Sequence, residues 1–278
     1  MQAMDHQSIL PIWQPVGYST HIIAAKVAEK YGASTSHTGT IDPMAEGVII
    51  VLLGEERHKK YEYAEWPKEY VFEITFGLCT DSYDGLGLVT SFHEGFIDEG
   101  SVEKALENFK SGYVQDVPPF SSVKVGGKPL HWFARNAQLS GVEIPRRAGQ
   151  IYEIELLDFY TKDFKHVVRE TVEKINLVTG DLRQEKIKTR WTQLLESAGT
   201  GRTVQVAKIR VKMSKGLYVR SLSQDIAEKL ETSGFVFSLV RTQNGNYTRE
   251  NSKTLEEIFG ADFRNNYDFR SMIESTHV

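Results

Sequence analysis

The stretch SHTGTIDPMAEGVIIVLLGEERHKK, from Ser36 to Lys60, places the carboxylate of Asp42 between a glycine-containing turn and an aliphatic run. The run Val48–Leu53 is rich in Val and Ile and is followed by a glycine, so it predicts a buried strand. Such a strand anchors the turn to the core, and Pro43 restricts the backbone, which is how a reactive side chain is held on a rigid scaffold. An aspartate beside a proline is also a common turn residue that hydrogen-bonds its own backbone. Both interpretations of Asp42 stay open at this point.

Composition narrows the class of protein. The chain has 278 residues, of which 40% are hydrophobic and 25% charged, and these values are typical of a globular protein rather than a disordered or collagen-like one. The aliphatic run is far shorter than the roughly 20 residues of a membrane-spanning helix. With no signal-like segment, we expect a soluble, cytoplasmic protein without a membrane partner. The single cysteine, Cys79, cannot form an internal disulfide, and no Cys or His spacing indicates a metal site.

The charges are unevenly distributed. The formal net charge is -4, which argues mildly against a dedicated nucleic-acid binder. However, 201–220 carries six Lys or Arg residues and no acid, whereas 92–109 carries five acids and one lysine. Local basicity is what a phosphate backbone experiences, although such stripes are also typical of solvated strand faces.

Periodicity predicts an α+β fold in one domain covering residues 1–278. A helix is expected from His21, with Ser19 or Thr20 as its N-cap, to a stop at Gly32. A half-buried antiparallel strand is expected in KEYVFEITFG, residues 68–77. QDVPPFSSVKVGGKP, residues 115–129, is expected to be a loop, because of its adjacent prolines and glycines. The charged segment of about 161–201 lies between two predicted core strands, and we interpret it as a helical insertion. The mixture of long strands and segregated helices favours the α+β class.

Six motifs occur in the order seen in one enzyme family. The sequence resembles the TruB-type pseudouridine synthases, whose opening pattern contains Gly-Thr-Leu-Asp-Pro-x-Ala-x-Gly-Val. The matching segments here are GYSTHIIAAKVAEKYGASTSHTGTIDPMAEGVIIVLLGE, KEY, FGLCTDSYDGLG, QDVPPFSSVKVGGKPLHWFAR, SKGLYVRSLSQDIAEKL and FSLVRTQNGNY. Any one of them alone is weak, but together they extend from about Pro15 to Tyr247.

The resemblance implies the pseudouridine synthase fold, with a mixed, mostly antiparallel sheet flanked by helices and loops. It also implies a base-flipping, cofactor-free isomerase that turns uridine into pseudouridine. It implies that Asp42 is the nucleophilic carboxylate and that Arg220 is the cation that favours its ionised form. Tyr70 would stack on the flipped uracil and assist proton removal; otherwise it is a cross-strand core aromatic. Neither a dinucleotide fingerprint nor a phosphate-binding P-loop is present in the sequence, which agrees with a reaction that needs no cofactor and no metal.

Further residues are assigned by the same resemblance. Asp84 would read polar edges near the base, Leu239 would pack on it, and Tyr218 would support Asp42 and Arg220. The ordinary alternatives are a turn aspartate, a core leucine and a core tyrosine. His37 could position a phosphate, and five cations on and beside the Pro-rich loop would contact phosphates of an RNA stem-loop, or else are scattered surface charges: Lys124, Lys128, Arg135, Arg146 and Arg147.

The implied partner is tRNA, bound through its T stem-loop, and the implied target is uridine 55, with the enzyme acting as a monomer. The sequence departs from the family pattern at Gln14, where a lysine is usual, and at His131, where a tyrosine is usual. The residues after Arg241 are too few for the PUA domain that often follows, so we expect none. Two alternatives stay open: a T-loop RNA-folding module with secondary or lost catalysis, and a guide-RNA-dependent synthase.

Overall fold

The computed structural model of this chain describes residues 8–93, 95–197, 199 and 201–263. The strands and helices are, in order, β1 (Ile9–Gln14), α1 (Thr20–Tyr31), β2 (Thr35–His37), β3 (Glu46–Leu53), α2 (Lys60–Ala64), β4 (Lys68–Phe76), β5 (Leu78–Thr80), β6 (Val89–Phe92), α3 (Glu99–Leu106), β7 (Gly112–Asp116), β8 (Lys124–Val125), β9 (Lys128–Pro129), α4 (Leu130–Arg135), β10 (Arg146–Asp163), α5 (Phe164–Leu177), α6 (Gln184–Ser197), β11 (Thr203–Met213), α7 (Val219–Lys229), β12 (Gly234–Asn244) and α8 (Leu255–Phe259).

The chain forms two compact units. Unit 1 comprises Met1–Tyr70, Asn176–Leu182 and Val240–Val278, and unit 2 comprises Val71–Ile175 and Arg183–Leu239. Strands β4 and β12 each contribute residues to both units, as does α5.

Unit 1 is built around β3. β1 and β2 both pair antiparallel with β3, and β12 pairs with it in parallel through Val240 and Arg241. Residues on one face of a strand alternate, and Val48, Ile50 and Leu52 accordingly form one fully buried row. This row is covered by partly buried hydrophobic side chains: Ile9, Trp13, Tyr63, Trp66 and Tyr247. The prediction of a buried strand here is confirmed.

Helix α1 begins and ends where the sequence indicates. It follows Ser19 and ends before Gly32, which adopts a left-handed conformation with φ of 60° and donates its N–H to the Ala28 carbonyl. Ser19 occupies the N-cap position, but its side chain makes no capping hydrogen bond. Thr20 instead uses its hydroxyl to hold the turn described below.

Unit 2 has strands in the order β12-β4-β11-β10-β7. β10 is antiparallel to both β11 and β7, and its pairing with β11 is shifted near Ile151 and again near Leu156. In β4, Phe72 and Ile74 are fully buried and Glu73 between them is partly exposed, as predicted, but Thr75 is also fully buried, so the alternation ends before the strand does. Helix α7 contributes Leu222 and Ile226 to the core.

The charged segment contains two amphipathic helices. α5 buries Val167, Val168 and Thr171, and α6 buries Ile187 and Trp191, at spacings of three and four residues. β10 continues to Asp163 and β11 begins at Thr203, so the helices occupy most of the predicted insertion. Residues 198 and 200 of that segment lie outside the described residues.

The prediction of a plain loop over 115–129 is wrong in two places. β7 continues to Asp116, and Lys124–Val125 pairs with Lys128–Pro129 as a short hairpin. Gly126 and Gly127 have φ of 57° and 83°, and two consecutive positive φ values are what a tight two-residue hairpin requires. The Gly-Gly pair therefore forms the turn of a hairpin, whereas the sequence pattern indicates only an interruption of regular structure.

The predicted fold class is confirmed: the protein is α+β, with a mixed, mostly antiparallel sheet and a charged helical segment. Within the described residues, no helix is long and apolar enough to cross a membrane.

Candidate active site

Asp42 lies in the connection between β2 and β3 of unit 1. Its carbonyl accepts a hydrogen bond of 2.9 Å from the Ala45 N–H, which closes a turn around Pro43. The Pro43 carbonyl accepts a 2.8 Å bond from the Gly17 N–H. Asp42 itself is half-buried. The backbone of the turn that carries this carboxylate is thus fixed by one hydrogen bond inside the turn and one from Gly17.

A buried polar network fixes the residue before Asp42. The Ile41 N–H donates to the Thr20 hydroxyl at 3.2 Å, and that hydroxyl donates to Gln14 Oε1 at 2.6 Å. Gln14 Nε2 in turn donates to the Tyr18 carbonyl. Gln14 is fully buried. An uncharged amide at this position satisfies its neighbours without burying an ammonium group, so the departure from the family lysine leaves the turn supported.

Arg241 holds the same connection from β12. Its Nε donates to the Val48 carbonyl at 2.6 Å and its Nη2 to the Gly39 carbonyl at 3.1 Å, and the residue is 1% exposed. Gly47, with φ of 133°, lies so close that an added Cβ would be 2.3 Å from the Arg241 carbonyl oxygen. The positive φ and this close approach both require glycine. Sequence analysis gave Arg241 no role, although it lies within the FSLVRTQNGNY motif.

His37 ends β2 and is neutral near pH 7. Burial, together with repulsion from His21, Arg241 and Lys60, lowers the pKa of His37 to about 4. Its Nδ1 atom is buried without a hydrogen-bond partner among the described residues. A neutral imidazole can position a group by hydrogen bonding but contributes no charge. The prediction that it positions a phosphate stays a prediction, restricted to that uncharged mode.

Tyr70 is the half-buried member of an otherwise buried row. Phe72, Ile74 and Phe76, which follow it at alternate positions of β4, are 0%, 0% and 2% exposed. Tyr70 therefore lies at the accessible end of the row, where an aromatic ring can present a face to a ligand. Its predicted stacking role stays a prediction.

Arg220 lies in the first turn of α7 in unit 2, one residue after the helix begins, and is 3% exposed. Its Nη1 donates to the Ser82 carbonyl at 3.0 Å and its Nη2 to the Phe120 carbonyl at 3.2 Å. Its Nε lies 3.8 Å from Oδ2 of Asp84. A guanidinium has a planar fork of donors, and here that fork is fixed by two loops and one carboxylate.

Asp84 is 6% exposed and is engaged within its own loop. Its Oδ1 accepts from the Ser82 hydroxyl at 2.6 Å and from the Leu86 N–H at 2.9 Å. Its carbonyl accepts from the Thr80 hydroxyl at 2.7 Å. The carboxylate thus orders the loop and faces Arg220, and its predicted contact with a base stays a prediction.

Tyr218 is held through its backbone by a residue that the sequence did not single out. Gln115, on β7, accepts from the Tyr218 N–H and donates to the Tyr218 carbonyl at 3.1 Å. Gln115 is 1% exposed, so the side-chain amide acts as a buried substitute for a strand partner. The only signal for it was its place at the start of the QDVPP motif. Leu239, also predicted near the base, is a buried residue of β12.

The five predicted phosphate-binding cations lie on the hairpin, on α4 and at the start of β10. Lys128 Nζ lies 3.7 Å from the centroid of the Trp132 ring, a cation–π contact. Arg146 forms an exposed pair with Asp116 at 3.3 Å. The His131 ring and N–H both contact the Ser121 carbonyl, and burial lowers the pKa of His131. The set, all in unit 2, is Lys124, Lys128, Arg135, Arg146 and Arg147.

The structure brings some of the predicted residues together. Asp84 and Arg220 face each other directly, and Tyr218 is the N-cap residue of α7, two positions before Arg220. Asp42, His37 and Tyr70 belong to unit 1, and their relation to the unit 2 residues stays a prediction. In the described part of the chain, no group of three or more His, Cys, Asp or Glu residues could hold a metal ion.

Comparison with known proteins identifies the family. The profile of the TruB family pseudouridylate synthase (N terminal domain) matches residues 28–174. The chain belongs to this family. A tRNA pseudouridine synthase B of Caldanaerobacter subterraneus subsp. tengcongensis is 33% identical over 258 residues, which cover 92% of this chain and 75% of that protein. One from Ureaplasma urealyticum serovar 10 is 29% identical over 268 residues, covering 96% of this chain and 97% of that protein.

Solved structures agree on the fold of this TruB family member. A chain of a Cbf5-Nop10-Gar1 complex matches with a TM-score of 0.57 at 19% identity, covering 93% of this chain and 56% of that one. A chain of an H/ACA RNP bound to a substrate RNA containing 2'-deoxyuridine matches with a TM-score of 0.55 at 16% identity, covering 94% and 56%. This chain thus spans little more than half of those chains, and the likeness concerns the fold alone. The predicted family and the predicted class of enzyme, an isomerase that makes pseudouridine, are confirmed by the family match.

Proposed function

We propose that this TruB family member is a tRNA pseudouridine synthase that isomerises uridine 55 of the T loop, acting as a monomer in the cytoplasm. The observation that carries the proposal is the Asp42 turn, because its half-buried carboxylate is mounted on a backbone fixed by Gly17, Thr20 and Arg241. Such preorganisation serves a reacting group more than a passive turn. The names of the relatives from two bacteria support tRNA as the substrate.

Pseudouridine formation breaks the bond between uracil N1 and ribose C1′, turns the base and forms a bond between C5 and C1′. N1 gains a proton and C5 loses one, so the atoms balance without a redox partner or a transferred group. Asp42 supplies the carboxylate that acts on the nucleotide, Arg220 the cation that keeps it ionised, and Tyr70 the aromatic face that holds the detached base. We propose that one chain performs these steps as a single catalytic domain of residues 1–278, with the segment of about 161–201 as an insertion.

The substrate base is stacked in folded RNA, and extruding it costs a few kcal/mol of lost stacking. Cations that grip the RNA on both sides of the base can offset that cost through phosphate contacts. We propose that the hairpin of β8 and β9 and the flanking basic residues fulfil this role, with Asp84 and Leu239 contacting the flipped base. Within this set, the ammonium group of Lys128 is held over the Trp132 ring.

The test is tritium release from carbon-5 labelled uridine in an unmodified tRNA transcript. Wild type should release tritium in the presence of EDTA, whereas Asp42→Asn should bind the transcript with unchanged affinity and release none. A transcript with cytidine at position 55 tests the position, since release should then fall to background. Tight binding by wild type without release would instead favour the RNA-folding module. Release only with guide RNA and accessory proteins would favour the guide-RNA-dependent alternative.

A further inference from the structure

Arg183 lies in the charged segment between α5 and α6, outside the family motifs, and it contacts two loops of unit 2. Its Nη1 and Nη2 donate to Oδ2 and Oδ1 of Asp81 at 2.9 and 3.3 Å, a bidentate ion pair. The same guanidinium has its central carbon 4.1 Å from the centroid of the Phe120 ring. The Arg183 and Asp81 side chains are only 20% and 26% exposed, so the pair is partly shielded from water.

These two loops are the ones that hold Arg220. Phe120 itself provides one carbonyl acceptor for the Arg220 guanidinium, and Ser82, the residue after Asp81, provides the other. Arg183 is thus connected to Arg220 in two ways: through Phe120 alone, and through Asp81 and Ser82. A shift of either loop would move an acceptor of Arg220.

The loop from Asp81 to Leu88 is contacted near both of its ends by one segment of the chain, residues 183–191. Asp81 also accepts from the Leu88 N–H at 2.9 Å, which closes the loop. At its far side, the Gly87 carbonyl accepts from the indole N–H of Trp191 at 3.2 Å, and Trp191 is a fully buried residue of α6. Arg183 accepts the first hydrogen bond of α6 from the Ile187 N–H at 3.1 Å. One helix therefore fixes the position of the arginine and braces the loop that the arginine binds.

The Arg183 backbone adopts a conformation that is unfavourable for a residue other than glycine. Its φ is 67°, in the left-handed region, where a non-glycine residue costs roughly 1 kcal/mol. Glycine or asparagine would adopt this conformation at a lower cost, but neither could make the contacts that the Arg183 side chain makes. The ion pair and the stacking on Phe120 are such contacts.

We propose that Arg183 is a positioning residue for Arg220, acting through Asp81 and Phe120. The proposal rests on the proposed function for the role of Arg220 in the reaction. It predicts that planarity and bidentate geometry at position 183 matter, and not positive charge alone. A lysine keeps the charge but offers neither the fork nor the planar stack.

The kinetic experiment compares Arg183→Lys, Arg183→Ala and Asp81→Asn in single-turnover pseudouridine formation and in tRNA binding. Each should lower the single-turnover rate constant about 10- to 100-fold, the scale of a misplaced catalytic group, with tRNA affinity changed less than threefold. The double variant Arg183→Ala/Asp81→Asn should be impaired less than the product of the two single effects, since the two changes share the ion pair. Arg169→Ala, an exposed cation on α5, is the matched control and should react at the wild-type rate.

A simple phosphate contact would give the opposite pattern. Arg183→Lys would then keep its rate, and Arg183→Ala would lose tRNA affinity in a salt-dependent manner. That pattern overturns the proposal. Thermal unfolding of each variant identifies loss of the fold, and a rate defect that appears only in unfolded samples also counts against a positioning role.

A second measurement needs no activity. The Nε–H resonance of Arg220, assigned by its disappearance in Arg220→Lys, is recorded in protein labelled with ¹⁵N-arginine. It should shift, with faster hydrogen exchange, in Arg183→Lys and Arg183→Ala but not in Arg169→Ala. An unchanged resonance overturns the proposal even if wild type makes no pseudouridine. A shifted resonance in a protein without activity leaves the positioning role supported and the proposed function refuted.

Discussion

The Nε of Arg220 lies 3.8 Å from Oδ2 of Asp84, and both side chains are more than nine-tenths buried. A buried cation without its anion is costly, since protein surroundings solvate the charge less well than water does. Removing the charge of Asp84 alone should therefore destabilise unit 2, apart from any role in the reaction.

Asp84→Asn removes the negative charge and keeps the size of the side chain and an acceptor for Ser82 and Leu86. We expect a loss of about 3 kcal/mol in the free energy of unfolding, because the buried guanidinium of Arg220 loses the negative charge of Asp84. Urea denaturation measures it. Asp116→Asn is the control: it breaks the exposed pair with Arg146 and should change stability by less than about 0.5 kcal/mol. Equal losses in the two variants would show that the buried pair contributes no more than a surface one.

The stability of the fold should decrease in mild acid because of His37. Its pKa in the folded protein is lowered to about 4 from the ordinary histidine value of 6.5, so the unfolded chain binds the proton more readily between these values. The contribution is fully present above about pH 6.5 and is lost as the pH falls towards 4. Between pH 7 and pH 5 the loss should be about 2 kcal/mol.

His37→Gln should reduce this pH dependence. The comparison is the difference in unfolding free energy between pH 7 and pH 5, measured for wild type and for the variant. His58→Gln is a suitable control, since that histidine is an exposed one. An identical pH dependence in wild type and His37→Gln would show that His37 does not cause the loss of stability in mild acid.

Gly17→Ala should destabilise unit 1. Gly17 has φ of 95°, and an added Cβ would lie 2.2 Å from the carbonyl oxygen of Leu177, which is backbone and cannot rotate away. We expect a loss of 2 kcal/mol or more, from about 1 kcal/mol of backbone strain plus overpacking. Because Gly17 also holds the Pro43 carbonyl, the rate of pseudouridine formation should fall as well.

Gly32→Ala is the control that separates backbone strain from the steric clash with Leu177 in the Gly17 variant. Gly32 also has a positive φ, of 60°, but an added Cβ would meet nothing within 4 Å. It should therefore lose only about 1 kcal/mol from the left-handed backbone. Thermal unfolding of the two variants under one set of conditions measures the difference, and equal losses would refute the clash with Leu177.

Helix α6 presents a polar face that we expect to bind RNA phosphates. Lys186, Thr189, Arg190 and Gln193 are exposed at helical spacing and line a groove with Leu88 and Val89. Lys186→Glu/Arg190→Glu should weaken tRNA binding at least tenfold at low salt and reduce the salt dependence by about two phosphate contacts. Lys229→Glu, an exposed cation of α7, is the control. Unchanged affinity in the double variant would leave α6 without a role in RNA binding.

Local patterns in the sequence were enough for much of the fold. The alternation through Phe72 and Ile74 and the helix from Thr20 to Tyr31 depend on neighbours a few residues apart, and both were predicted correctly. The hairpin at Gly126 was missed, because the same Gly-Gly pair fits an irregular loop and a tight turn equally well. Pairing between strands decides between them, and pairing is not a local property.

The candidate site residues were predicted from sequence motifs, and the contacts that position those residues were not predicted. The motifs pointed to Asp42 and Arg220, but not to the residues that hold them in place. Arg241 and Gln115 act through hydrogen bonds to backbone groups more than 100 positions away in sequence. No periodicity or spacing within a single segment carries that information. Arg183 was missed for the same reason, because its partners Asp81 and Phe120 lie on two other segments of the chain.

The buried guanidinium of Arg241 also bears on how the protein is made. It bonds to carbonyls 193 and 202 positions earlier in the chain, at Val48 and Gly39. While the chain is being synthesised, the connection that carries Asp42 therefore leaves the ribosome long before the residue that fixes it. We expect the nascent protein to stay inactive until β12 has emerged and docked, so a chain that stalls before residue 241 would be a substrate for chaperones and proteases rather than a partly working enzyme.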